Sequence, residues 1–391
     1  AAIKQDYPRL AHLPGPGFAA GPCLLKDTMQ LAAFYNHNFS LGHAALWINE
    51  GLPDFIVAQL KSRHGLADKT VGILGMAFKA DSDDSDEVKR LYEQRGFKFP
   101  LTADISNWYL GFNMLDPVVG GLTERATKLR QAISIAVDQE EYISIFQNGR
   151  GIPAQSPLPP GIFGYEGGEE GMNSVVYEWV DGKRRRKPVE VARRLIGEAG
   201  YPNGRDEKSG EPLVVYLDTT GGGMGEKSRL DWLTRQFAKI DVQLVVRSTD
   251  FNRFQDKIRK GNVQLYYLGW NADYPDPENF FFLLHGAETR VAHGGENSSN
   301  YANPEFDRLF ARMKNMDNTP ERLQIVRQMN RILHQDAPWD FGLHPKSYTL
   351  GHRWLKNRKP NDVGNNILKY QRIDAVDRAN ARREWNRPVL W

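Results

Sequence analysis

VQLVVRSTDFNRFQDKIRKGNVQLYYLGW, residues 242–270, changes period twice. VQLVVRS at 242–248 is an apolar strand pattern, 251–260 is helical, and VQLYYLGW at 263–270 is a strand again. Parallel neighbours need a crossover of about a dozen residues, so strand, helix and strand in this order predict an α/β layer. Working outward, a strand at 212–218 and a helix at about 225–239 extend the alternation toward the N-terminus. Further upstream, Pro188 opens a helix with Ala192, Leu195, Ile196 and Ala199 as its inner face and Gly200 as its stop. Leu129, Ala132, Ile133, Ala136 and Val137 have the spacing of an amphipathic helix, and a Gly/Pro-rich loop, NGRGIPAQSPLPPGIFGY, follows at 148–165.

The 391 residues allow two or three domains and a substantial core. A formal net charge of +3 over this length gives no basis for a nucleic-acid partner. No run approaches the ~18 apolar residues of a membrane helix, and AAIKQDYPRL at the N-terminus lacks the zones of a signal peptide. The single cysteine, Cys23, excludes an internal disulfide and fits either redox compartment. Of nine tryptophans only Trp47 precedes residue 85, which is a first sign of two parts.

Several patterns carry less chemistry than they suggest. TTGGGMGEKS lacks the adjacent Gly-Lys of a phosphate loop because Glu226 intervenes, so a glycine turn before a helix is expected. KRRRK at 183–187 is either a phosphate-binding patch or, more ordinarily, a solvated loop. His285, His293 and His344 have no metal-ligand spacing, and no metal is expected. GWNADYPDPENFFFLLHG at 269–286 is different: a strand ends at Trp270, and Asp273 and Asp276 follow among prolines. An aromatic face and a carboxylate together suit an ammonium group. The same spacing also fits a rigid turn in which aspartate caps the next helix.

The first 85 residues read differently. HLPGPGFAAGPCLLKDT is dense in glycine and proline and then opens a helix at Leu24 or Leu25, which puts Cys23 where a helix dipole favours a thiolate; a small buried hydrophobe is the plainer alternative. A second helix is predicted after Pro53, and KTVGILGMAFK at 69–79 reads as a buried strand entering a turn. GFAAGPCLLKD and GILGMAFKADSDD resemble the nucleotide-sugar dehydrogenases. That resemblance implies a catalytic-loop ancestry for Cys23, Lys26 and Asp27 and a substrate-contacting position for Lys79. The family's dinucleotide fingerprint does not precede the segment, so no cofactor and no turnover are expected, and Cys23, Lys26 and Asp27 are catalytic only under a dehydrogenase-fragment alternative.

From about residue 86 onward a second resemblance takes over. FNM at 112–114, LRQAISIAVDQEEY at 129–142, ARRLIGEAGYPNG at 192–204, GWNADYPDP at 269–277, NSSNYANPEFDRLF at 297–310 and ERLQIVRQMNRILHQDAPW at 321–339 resemble the family-5 extracellular solute-binding proteins of ABC importers, of the peptide and oligopeptide type. The resemblance implies α/β, periplasmic-binding-protein-like lobes closing on a solute, a periplasmic or extracellular location, and an ABC transporter permease as partner. It makes Trp270 and Asp273 the ligand-binding residues, Asp273 for the solute's ammonium. Tyr267 stands where some oligopeptide binders carry a basic residue, so no cation for a solute carboxylate is offered there. The chain is thus expected to be an apparent chimera: a helix-rich dehydrogenase-like segment, 1–85, and a solute-binding region, 86–391, lacking the usual N-terminal part of the first lobe. The expected function is non-catalytic binding of a small-molecule or peptide solute, with a scaffold that holds no ligand as a further alternative.

Overall fold

In a computed structural model of the chain, the described residues are 101–220, 224–358 and 367–385, with 96–98 and isolated helical positions between 44 and 94. The chain divides into two units, Ala1–Met76 with Trp385–Trp391, and Ala77–Glu384. In the first unit positions 51, 54–55 and 57–63 are helical, in the stretch where a helix is predicted after Pro53. Cys23, Lys26, Asp27 and Lys79 lie outside the described residues.

Along the second unit come β1 (Phe97–Lys98), β2 (Leu101–Ala103), β3 (Ser106–Phe112), α1 (Glu124–Ala136), α2 (Gln139–Phe146) and β4 (Gly151–Pro153). A hairpin of β5 (Tyr177–Val180) and β6 (Lys183–Arg186) leads to α3 (Val189–Glu198). Then β7 (Val214–Thr219), α4 (Met224–Ala238), β8 (Gln243–Ser248), α5 (Phe251–Lys260) and β9 (Leu265–Asn271) alternate. The short α6 (Glu278–Phe281) and α7 (Arg290–His293) precede α8 (Pro304–Met313), α9 (Pro320–Asp336) and β10 (Trp339–Tyr348). β11 (Gly351–His352), β12 (Leu355–Lys356), β13 (Arg372–Ile373) and α10 (Ala375–Trp385) close the described chain.

The alternating stretch forms the α/β layer that its pattern predicts. Asp250 caps α5 by accepting from the Arg253 amide, Phe254 and Ile258 bury one face, and Gly261 at φ +69° ends the helix. β7 pairs in parallel with both β8 and β9, each connection crossing over through a helix. Beyond β9 the sheet turns antiparallel, in the order β2-β10-β3-β9-β7-β8, with β4 also on β10. Strand alternation then sends side chains to two cores. Leu110, Phe112, Val215, Leu217 and Leu265 pack with α1, α3 and α4 on one face. Tyr109, Tyr266, Trp339 and Phe341 pack with α5, α8 and α9 on the other.

Polar side chains tie these layers together. Arg130 on α1 is 0% exposed, and its guanidinium donates to the carbonyls of Val119, Gly121, Asp336 and Ala337, clamping α1 to the end of α9. Asn113 donates to the carbonyls of Gly261 and Val263 and accepts from Asn300, so the motif residues at 112–114 and 297–301 form a knot at the start of β9.

One loop expectation is corrected. The basic run at 183–187 is a strand from Lys183 to Arg186, because Asp181 and Gly182, both at positive φ, make the tight turn of a hairpin. Arg186 turns inward, donating to the Tyr177 hydroxyl, to Glu140 and to the carbonyls of Ser134 and Ile135.

Candidate functional site

On the face of the first core a cleft of about 440 Å³ lies against the sheet. Its floor comes from β3 and β9. Alternation places Ser106 and Trp108 of β3, and Tyr267 and Asn271 of β9, on this side. Trp108 is 48% exposed, and its ring lies over Gly269, where a Cβ would come within 2.6 Å of the indole. Glycine at 269 is therefore what gives the tryptophan its bed.

β10 reaches the same face through a bulge. Asp340 opposes Leu110 but Leu343 opposes Trp108, so one extra residue stands on β10 between them. Gly342 takes φ +65°, and a Cβ there would run into the Trp108 carbonyl. The extra residue inverts the alternation, so Asp340 and Leu343 share a face although three positions separate them. Leu343 and Pro345 thereby line the cleft beside Asp104.

The opposite wall is α2 with Gln139, Tyr142 and Gln147, and α4 with Arg229. Asp138 caps α2 and makes Gln139 its first residue. The rings of Tyr142, Phe146 and Trp232 lie 5.2–6.0 Å apart. The Trp232 indole N–H and the Gln236 amide both donate to Glu141 and fasten α4 to α2. Burial holds the hydroxyls of Tyr142 and Tyr267 neutral by raising their pKa above the usual value. Gln139 is only 3% exposed, and its amide nitrogen donates to Asp340 Oδ2 at 2.7 Å. Burial pushes the Asp340 carboxyl up to about 6, against the charge of Arg186 and the donation from Gln139.

A second cavity, of about 450 Å³, lies between the loop at 166–174 and α9. Arg327 there already holds Glu166 through both carboxylate oxygens, and no tryptophan, tyrosine or phenylalanine is among its lining residues. A solute site needs apolar walls with a few oriented polar groups. The cleft over Trp108 has them and the second cavity does not.

The residues singled out in sequence take separate places. Trp270 projects to the other face of β9, where its ring packs edge-on against Phe282 at 5.3 Å and its N–H donates to Asn279 Oδ1. The Asp273 backbone N–H donates to the same oxygen at 2.9 Å, while the side chain is exposed and, among the described residues, meets no partner. Neither lines the cleft; Asn271, two residues before Asp273, does. Asp276 is structural, as the rigid-turn reading has it: Arg322, itself buried, donates to both its oxygens at 2.7 and 2.8 Å, and the Glu278 amide donates to Oδ1. His344 is buried on β10, His285 stacks on Phe310, and His293 pairs with Thr289. The pattern reading missed Trp108, Gln139, Tyr142 and Arg229. SNWYLGF at 106–112 alternates well enough to place Trp108 opposite Tyr109, but nothing local says which face is open.

Residues 80–289 match the family described as bacterial extracellular solute-binding proteins, family 5, middle. Heme-binding protein A of Haemophilus influenzae is 28% identical over 260 residues, 65% of this chain and 41% of that one. Di/tripeptide-binding protein 4 of Pseudomonas aeruginosa is 27% identical over 223 residues, 57% of this chain and 38% of its own length. The chain therefore spans about 40% of the length of these curated relatives. Among solved structures, HbpA2 from Haemophilus parasuis superposes with a TM-score of 0.60 over 82% of this chain and 56% of its own, at 20% identity, a likeness of fold.

Proposed function

The chain belongs to the bacterial extracellular solute-binding proteins of family 5, and from that premise we propose that its cleft binds a small peptide-like solute for an ABC transporter permease outside the cytoplasm. The observation that carries this is the exposed Trp108 indole, lying over Gly269 and ringed by Tyr142, Tyr267 and a few polar side chains. Such a surface stacks on a planar amide or ring and orients it with few hydrogen bonds. The names of the relatives, one for heme and one for di- and tripeptides, set the classes to try. Asp273 takes the ammonium of a solute that reaches past the cleft: it stands two residues beyond Asn271, the cleft residue that ends β9, and its charge is unpartnered among the described residues. Trp270 contributes by packing, holding the turn through Asn279.

Titration calorimetry with dipeptides, tripeptides and hemin tests this. Trp108→Ala is expected to weaken binding at least tenfold. Asp273→Asn is expected to weaken amine-bearing solutes by about tenfold to a hundredfold, the worth of a lost charge-assisted hydrogen bond. No binding by the wild-type chain, or equal binding by both variants, would sink the reading.

The solute-binding region then begins near the acidic run DSDDSD at 81–86. Two observations support that: the family match starts at residue 80, and the second compact unit starts at Ala77. The dehydrogenase-fragment alternative rests on the GFAAGPCLLKD and GILGMAFKADSDD motifs alone. NAD⁺ reduction with a UDP-sugar that disappears in Cys23→Ser would establish it; none is expected.

A further inference from the structure

The cleft contains one polar contact with a fixed sense. An ionised carboxylate only accepts hydrogen bonds, so the close contact between Gln139 and Asp340 Oδ2 obliges the amide nitrogen to face inward. The Tyr267 hydroxyl lies against the same amide as a second neighbour. The amide oxygen is left with no donor among the described residues, on a side chain that lines both the cleft and the small enclosed space around Asp340. We propose that Asp340 is a positioning residue for this cleft: by holding the Gln139 nitrogen inward it presents the amide oxygen to the solute, so the cleft takes an N–H or O–H donor at that point. This rests on the reading of the cleft as a solute site.

The groups around Asp340 make its charge conditional. Arg186 on β6 favours the carboxylate, as do the Gln139 amide and the Gly342 backbone N–H, while burial and Glu140 on α2 oppose it. Tyr177 on β5 and Tyr267 on β9 stay neutral because burial raises them, and His334 on α9 stays neutral because burial lowers it to about 4. Asp340 thus titrates near 6. Once protonated it can donate to the Gln139 oxygen, which frees the amide to turn and offer N–H groups to the cleft instead. The polarity of the cleft at Gln139 inverts across that pH.

Two measurements on the full chain decide this. The side-chain amide resonance of Gln139, identified by its loss in Gln139→Met, should move between pH 7.5 and 5.0 with a midpoint near 6 and stay still in Asp340→Asn. With alanyl-alanine as the probe, wild-type affinity should fall by about 3- to 10-fold over the same range, as for one ordinary hydrogen bond. Asp340→Asn should bind more weakly than wild type at pH 7.5, with little pH dependence, and should melt no lower than wild type. A Gln139 signal that ignores pH overturns the proposal, and so does an Asp340→Asn chain with the wild-type affinity and pH profile. If alanyl-alanine does not bind the wild-type chain, the solute reading fails for dipeptides, and the Gln139 resonance still decides the role of Asp340.

Discussion

Asp340 and Asp276 are both well-connected carboxylates, yet the fold treats them in opposite ways. Asp276 is met by both guanidinium nitrogens of Arg322 and by a backbone amide, so its charge is compensated where it stands. Asp340 is 6% exposed, and its pKa is raised from 3.8 to about 6, so the folded state prefers it protonated. The stability it contributes is complete below pH 3.8 and disappears as the pH rises through about 6. At pH 7.5 that contribution, up to about 3 kcal/mol, is gone. Asp340→Asn keeps the shape and an acceptor for the Gly342 amide, while its N–H₂ can now face the Gln139 oxygen, so the fixed sense of that contact is lost. It is expected to raise the unfolding free energy by ~1–3 kcal/mol at pH 7.5, with the gain shrinking toward pH 4. Urea unfolding at the two pH values checks this, and a variant less stable than wild type at pH 7.5 would refute the sign. A neutral amide that is more stable but binds less well is what a positioning carboxylate predicts and a purely structural one does not.

At the scale of elements, the bulge on β10 matters most to the cleft. Gly342→Ala puts a Cβ against the Trp108 carbonyl at a backbone angle that alanine avoids. The expected result is a loss of about 1–3 kcal/mol in unfolding free energy. If the strain is relieved by ironing out the bulge, Leu343 leaves the cleft face and solute affinity falls as well. Calorimetry and urea unfolding on one preparation separate the two effects. Elements with local signals were legible in the sequence: β8, α5 and β9 fall within about two residues of their predicted bounds because caps, glycine stops and strand alternation are written locally. The hairpin of β5 and β6 was also written, as Asp-Gly between two runs of four residues, but the density of charge hid it. The cleft itself was not legible. Gln139 and Asp340 meet across 201 residues of sequence, and only the pairing of β10 with β3 brings them together. Trp270 drew attention by its motif, while Trp108, two strand positions from Leu110 on the cleft face, took its role from the glycine opposite it.

For the whole molecule, the described cleft belongs entirely to the unit that begins at Ala77. A chain truncated to begin at Asp86 should therefore keep solute affinity within about twofold, which is near additivity for distant, independent parts. Calorimetry with the same probes tests this, and loss of folding or a tenfold weaker affinity would show that earlier residues complete the site. The sheet has a property that binding measurements do not reach. β10 lies between β2 and β3, yet Ser106 and His344, bonded across that seam, stand 238 residues apart. During synthesis β3 emerges long before its neighbour does. At about 5–20 residues per second the ribosome needs roughly ten to fifty seconds to deliver β10. Through that interval one edge of β3, the strand carrying Trp108, lacks its partner, and such edges invite pairing with other chains. A chain that lacks Leu343 and Pro345 has no such cleft, so the solute can be no help to folding until β10 has been made.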